Sequence, residues 1–184
     1  MLTFTVILIT VGSIIFLFSS KTLSPIPYFP SQPVDIPLII TALNLKNDQT
    51  VFDLGAGDGI VIFKAAREAF RQDLNTQFVA VEINPILILI LHLRRLFHPN
   101  KKNIKIICDD IFQMDFNPLA MKQWNNVTIY LYISPWFLEK TIFNVKKQIR
   151  KFKTVSYMYS IKSLKKREKI KKGKNNIYIY SSNS

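Results

Sequence analysis

Three of the chain's five glycines fall within five residues, in the run Asp53-Leu54-Gly55-Ala56-Gly57-Asp58-Gly59. No other stretch limits the fold as strongly. Glycine adopts left-handed backbone without the penalty of a Cβ, so such a run makes a tight turn that a ligand can approach closely. Thr50–Leu54 before it reads as a strand. Ile60–Arg71 after it reads as a helix with Phe63, Ala66 and Phe70 on one face. The alternation continues, with strands predicted at Phe78–Glu82, Ile104–Cys108, Val127–Ile133, Thr154–Ile161 and Ile177–Tyr180. Asn84-Pro85, Asn117-Pro118 and Ser134-Pro135 are helix starts, a polar cap followed by proline at the first helical position. A short helix is expected from near Asp35 to Leu43. The helix Pro85–Phe97 is apolar nearly all round at first, which predicts a buried early part. Strands alternating with helices mean an α/β domain with a mainly parallel sheet. Ligands of such sheets sit at the carboxyl ends of the strands, where the strand order reverses.

At 184 residues the chain holds one domain of ordinary size, and 48% hydrophobic residues exclude disorder. The lone Cys108 excludes a disulfide framework and a multi-cysteine zinc site. His92 and His98, six apart in a basic stretch, do not suggest a metal site. The net charge of +13 is unevenly placed: residues 146–174 hold 13 Lys and Arg against Glu168 alone. Within it, the segment 161–174 carries eight of them. This tract suits a solvated loop or contact with anionic lipid headgroups. It suits nucleic acid less, because few aromatics interleave with the charges.

Leu2 to Ser20 is 19 residues without a charge, about 28 Å long as a helix and close to the hydrocarbon thickness of a bilayer. Residues 1–20 are therefore expected to form one uncleaved transmembrane anchor. Residues 21–34, with Pro25, Pro27, Pro30 and Pro33, form a stiff spacer, and residues 35–184 the α/β domain. The basic tract favours that domain on the cytoplasmic side of a single-pass membrane protein.

The glycine run is not a Gly-x-Gly-x-x-Gly dinucleotide fingerprint, because the third position is Ile60, and it lacks the Gly-Lys-Ser/Thr of a P-loop. It resembles the acid-x-Gly-x-Gly-x-Gly turn of class I methyltransferases, which use S-adenosylmethionine. That resemblance implies a Rossmann-like sheet and a cofactor turn made of Asp53, Gly55, Ala56, Gly57, Asp58 and Gly59. It also implies that Glu82, with Ile83 beside it, accepts both ribose hydroxyls, and that Asp110 receives the adenine amino group while Ile111 packs on the ring. A carboxylate suits a diol because it offers two acceptor oxygens.

Pro27-Tyr28-Phe29-Pro30-Ser31 ahead of the fold, Asp-Leu-Gly-Ala-Gly-Asp-Gly and Glu82-Ile83-Asn84-Pro85 together resemble a narrower group. These are the small membrane-anchored protein-lysine methyltransferases related to the ATP synthase c-subunit lysine methyltransferase, distantly Dot1-like. The resemblance implies a protein substrate and adds Tyr28 to the cofactor site. The acceptor loop Tyr130-Leu131-Tyr132-Ile133-Ser134-Pro135-Trp136-Phe137 is similar in part to the Asp/Asn/Ser-Pro-Pro-aromatic motif of amino-group methyltransferases acting on nucleic-acid bases, with Trp136 in place of the second proline. Tyr132, Ser134, Pro135 and Trp136 are thus the candidate catalytic residues. Ser134-Pro135 is equally readable as a helix cap. A nucleic-acid or small-molecule N-methyltransferase tethered to the membrane, or a non-enzymatic cofactor-binding scaffold, are the alternatives. After the fifth strand only Ile177–Tyr180 reads convincingly as strand, which predicts an abbreviated C-terminal edge of the sheet.

Overall fold

The computed structural model describes residues 3–9, 12, 29–116 and 126–181. Among the described residues, four α-helices follow the lead-in segment, residues 29–35: α1 (Ile36–Leu43), α2 (Ile60–Arg71), α3 (Pro85–Leu96) and α4 (Pro135–Gln148). Seven strands alternate with them: β1 (Thr50–Leu54), β2 (Gln77–Glu82), β3 (Ile104–Cys108), β4 (Val127–Leu131), β5 (Phe152–Tyr157), β6 (Glu168–Lys172) and β7 (Asn176–Tyr180). They form one sheet in the order β3-β2-β1-β4-β5-β7-β6. β1 to β5 run parallel, and β7 lies antiparallel between β5 and β6. The strand order reverses between β1 and β4, so the carboxyl ends of these two strands are the topological place for a ligand.

β1 and β4 are buried along their whole length, as expected of central parallel strands covered on both faces. On one face α1, α2 and α3 bring Ile39, Leu43, Ile62, Ala66 and Leu91 against Val51, Phe78, Ala80 and Tyr130. On the other, α4 brings Leu138, Ile142 and Val145, and the segment after β3 brings Ile111, Met114 and Phe116, against Phe52, Leu54, Val79 and Ile129.

Four expectations need correction. Among the described residues no helix is long and apolar enough to cross a membrane. Residues 10, 11 and 13–20 of the expected anchor lie outside the described residues. The transmembrane anchor over residues 1–20, and the single-pass placement built on it, are therefore not supported. Second, the sheet edge is not abbreviated in strands. The basic segment 161–174 contributes a 3₁₀ turn, Lys162–Arg167, and then β6, which pairs with β7 over five residues. Only the crossover is short, because that turn stands where a longer helix would. The lysines hid the strand, since an edge strand with both faces partly wet carries no apolar alternation.

Third, α3 is buried only along Leu87 and Leu91, while Leu89, Leu93, Leu96 and Phe97 are exposed. It lies over the β2–β3 edge, where only one stripe meets the sheet. Fourth, Phe70 points outward although Phe63 and Ala66 are buried. The helix expected after Asn117-Pro118 lies outside the described residues.

Candidate active site

Every turn that follows a strand at the β1–β4 reversal contributes to one cleft. It encloses about 810 Å³ including its open mouth, within the usual range for small-molecule sites. The glycine turn forms its floor. Gly55, Gly57 and Gly59 have φ of +80°, +58° and +76°, where L side chains are strained. A Cβ on Gly55 would lie 2.9 Å from Ile133 Cγ2, and one on Gly59 would collide with Leu91 and the Phe63 ring. Gly55 N and Ala56 N both donate to Val81 O at 2.9 Å, tying the turn to the end of β2.

Glu82 stands at the end of β2 and closes the cleft floor. Its Oε2 accepts from Gly57 N at 2.8 Å, and its Oε1 accepts from Ile83 N and Asn84 N at 2.9 Å. A carboxylate has about four lone-pair sites. Three backbone donors hold the group in place and leave acceptor capacity facing the cleft. Asn84 then caps α3, its Oδ1 accepting from Ile86 N at 2.9 Å and Leu87 N at 3.4 Å, with Pro85 at the first helical position as the sequence predicts.

Asp58 ties the turn to two helices. Its Oδ1 accepts from Ile60 N at 3.1 Å, and its Oδ2 pairs with Arg94 at 2.8 Å. Asp53 differs, being 3% exposed and paired with no cation among the described residues. Burial, with Glu82 and Asp58 close by, pushes its pKa up to about 8. A buried carboxylate that opens into a cleft without a counter-charge fits a ligand carrying an ammonium group there.

Asp109 and Asp110 follow β3 and both line the cleft. Asp110 Oδ1 accepts from Phe112 N at 2.9 Å and Oδ2 from Gln113 Nε2 at 3.0 Å, while Asp109 Oδ1 accepts from Asp110 N at 2.7 Å. Ile111 is buried beside them, and Ile83 is part of the same wall.

The residues read from sequence divide at this point. Asp53, Gly55, Ala56, Gly57, Asp58, Glu82, Ile83, Asp110, Ile111 and Tyr132 line one cleft. Gly59 shapes the turn from behind. Tyr28 lies outside the described residues. Ser134, Pro135 and Trp136 are not in the lining. Ser134 is the N-cap of α4, yet its hydroxyl caps no backbone N–H, and Trp136 is 86% exposed. Phe137 packs against Phe112 at 5.3 Å between ring centroids.

Other lining residues belong to motifs read from the sequence but were not assigned to the site. Phe29, Pro30 and Ser31 reach the cleft because Ser31 Oγ and Tyr130 OH share a hydrogen bond of 3.1 Å. Tyr130 is buried beside Asp53, and burial first, then Asp53, holds its pKa well above 10. Alternation along β4 puts Tyr130 on the face that Tyr132 shares, a signal that was available. Tyr132 meets the Tyr157 ring edge-on at 4.9 Å and 75°. Tyr157 in turn donates to Asp35 Oδ2 at 2.6 Å, and Asp35 also accepts from Lys174 N at 2.7 Å and Asn175 N at 2.9 Å. Nothing local in the sequence points to this buried acid.

Residues 30–170 match the family described as ribosomal RNA adenine dimethylase. A Caenorhabditis elegans protein, named as the lysine N-methyltransferase of the ATP synthase c-subunit, is 31% identical over 99 residues, which are 50% of this chain and 49% of that protein. A Methanosarcina mazei protein named probable ribosomal RNA small subunit methyltransferase A is 35% identical over 78 residues, 42% of this chain and 26% of that protein. The matches thus span about half of the first relative's length and about a quarter of the second's. Among solved structures, an RNA methyltransferase from Salinibacter ruber in complex with S-adenosyl-L-homocysteine has the same fold, with a TM-score of 0.66 at 18% identity over 83% of this chain and 93% of that one.

Proposed function

Because the chain belongs to the ribosomal RNA adenine dimethylase family, whose cofactor is S-adenosylmethionine, we propose that it is a methyltransferase whose acceptor is the amine of a lysine side chain in a protein. When bound, the cofactor supplies a methyl group on a sulfonium, whose departure as a neutral thioether needs no acid. Asp53 receives the cationic amino group, Glu82 the ribose hydroxyls, and Asp110 with Ile111 the adenine. Tyr132 and Ile133 at the end of β4 wall the side where an acceptor enters. Alignment of the amine with the methyl group is the main contribution. The aromatic and aliphatic wall disfavours the charged ammonium and so helps to supply the neutral nucleophile.

One observation carries the lysine reading. Trp136 faces solvent and Phe137 is packed on Phe112. The two rings at the aromatic end of the motif, Trp136 and Phe137, are therefore absent from the cleft lining where they would stack a nucleobase, while a narrow aliphatic amine needs neither. The name of the Caenorhabditis elegans relative supports the same acceptor class. The second reading, methylation of an RNA adenine, is favoured by the family's description and by the Methanosarcina mazei relative.

The test supplies labelled S-adenosylmethionine with a whole-cell protein extract in one arm and with total RNA in the other. Protease-sensitive label recovered as methyl-lysine is expected. Label recovered as methyladenosine, with none in protein, refutes the lysine reading.

A further inference from the structure

The outer face of α4 has a composition that the cleft does not explain. Trp136, Lys140, Phe143 and Lys147 follow one another at helical spacing and all are exposed, Phe143 at 60%. At 1.5 Å per residue they form a stripe about 16 Å long that begins beside the acceptor loop. The lysines lie on aromatic rings: Lys147 Nζ is 4.4 Å from the centre of Phe143, and Lys140 Nζ is 4.3 Å from that of Phe112. The 3₁₀ turn Lys162–Arg167 lies alongside. Lys146 Nζ donates to Ser163 Oγ at 3.5 Å, and Ser163 N donates to Glu139 Oε1 at 3.2 Å. The acids nearby are engaged, Glu139 with that turn and Glu168 with Tyr180 OH and Ser160 Oγ.

Lysines on β6 have a plain role, since charge on an edge strand prevents pairing with another chain. That explains Lys169 and Lys172. It does not explain a tryptophan and a phenylalanine held in water between lysines on a helix. Aromatic rings flanked by long basic side chains match a lipid interface, where the rings enter the headgroup layer and the ammonium groups stay at the phosphates. A polynucleotide fits less well, because stacking along a strand uses successive free ring faces, and with Lys147 over Phe143 the stripe offers Trp136 alone.

We propose that the α4 face, together with the Lys162–Arg167 turn, docks on an anionic lipid surface, with the mouth of the cleft at headgroup level. The surface stands independently of which amine is methylated and of any membrane-spanning segment.

The experiment sediments the full chain with vesicles of phosphatidylcholine alone or with about one-third phosphatidylserine, at low and high salt. The N-terminal residues are present throughout, so the difference between the vesicles reports the basic face. Tighter binding to anionic vesicles, weakened by salt, is expected. The combined Lys147→Gln, Lys162→Gln, Lys165→Gln, Lys166→Gln variant should lower anionic binding by roughly 100- to 1,000-fold. Phe143→Ser should lower it about threefold or more. Both should keep S-adenosylhomocysteine affinity within about twofold, as a check on folding. Equal binding to both vesicles, binding to neither, or an anionic preference that survives the lysine variant overturns the proposal. So does a single-stranded RNA oligonucleotide that binds more tightly than anionic vesicles and loses that binding in the same variant. Should the lysine variant fail to fold, Phe143→Ser decides, and unchanged anionic binding in it overturns the proposal.

Discussion

The two halves of the sheet are built on different principles, although they share one cleft. On the β1-β2-β3 side the two acids assigned to ribose and adenine are held by atoms close to them in sequence or in the turn after the adjoining strand. Glu82 is fixed by Gly57, Ile83 and Asn84, and Asp110 by Phe112 and Gln113. On the β4-β5-β7-β6 side the wall is assembled from distant pieces. Ser31 meets Tyr130 across 99 residues, Tyr157 meets Asp35 across 122, and Asn175 meets Asp35 across 140. The first half is a set of strand-end turns whose geometry follows from glycine and short polar side chains. The second is a clasp, in which the lead-in segment is pinned to the last hairpin through one buried carboxylate.

This contrast predicts where damage spreads. The largest effect is expected from Gly59→Val, which puts a β-branched side chain at a φ of +76° against Leu91 and Phe63. A loss of about 3–5 kcal/mol is expected, with cofactor binding abolished. Urea unfolding monitored by circular dichroism measures it, and a variant of near-normal stability would mean that the turn can relax.

Asp35→Ala comes next. It leaves Tyr157 OH and the backbone N–H groups of Lys174 and Asn175 without their shared acceptor, for about 3 kcal/mol. If the halves are as separate as the contacts indicate, S-adenosylhomocysteine affinity should change much less than the melting temperature. Burial alone would raise the Asp35 carboxyl, but hydrogen bonds from Tyr157, Asn175 and Lys174 outweigh it and hold the pKa below the ordinary 3.8. A depressed folded-state pKa gives stability that is complete above 3.8 and lost as pH falls below it. The same variant should therefore flatten the acid limb of the stability profile.

Glu82→Gln tests the other half. It replaces two ionised acceptor oxygens by one neutral one and forces an amide N–H₂ toward backbone donors. Calorimetric titration should show S-adenosylhomocysteine affinity falling by about 1.5–3 kcal/mol. Unchanged affinity in a folded variant would remove Glu82 from the ribose assignment.

The smallest effect, taken per unit of pH, concerns Asp53. Its folded-state pKa of about 8 exceeds the ordinary 3.8. It thus binds a proton on folding, and its contribution to the stability of the ligand-free protein decreases as pH rises from about 3.8 to about 8. A cationic ligand group needs the ionised form, so S-adenosylhomocysteine affinity should rise by up to about tenfold per pH unit, about 1.4 kcal/mol, toward pH 8. In Asp53→Asn that slope should vanish.

What the amino-acid order determined by itself was the layout of strands and helices and the chemistry of the turns between them. Asn84-Pro85 and Gly55 to Gly59 act within a few residues, through a cap, a proline ring or a missing Cβ, and such effects need no partner from elsewhere in the chain. α2 begins and ends where its pattern predicts. Long-range decisions were not legible in this way. Whether an apolar stripe on α3 is covered depends on how far the sheet extends beneath it, and Leu89 and Leu93 lie beyond its edge. A lysine-rich strand pairs because β7 offers it a partner, not because its own side chains alternate. Asp35 reads as an ordinary helix-start acid until the fold brings a tyrosine and two backbone N–H groups onto it. The sequence carries propensities and periods; burial and partnership arise only when separate segments close on one another, and those decided the wall of the cleft.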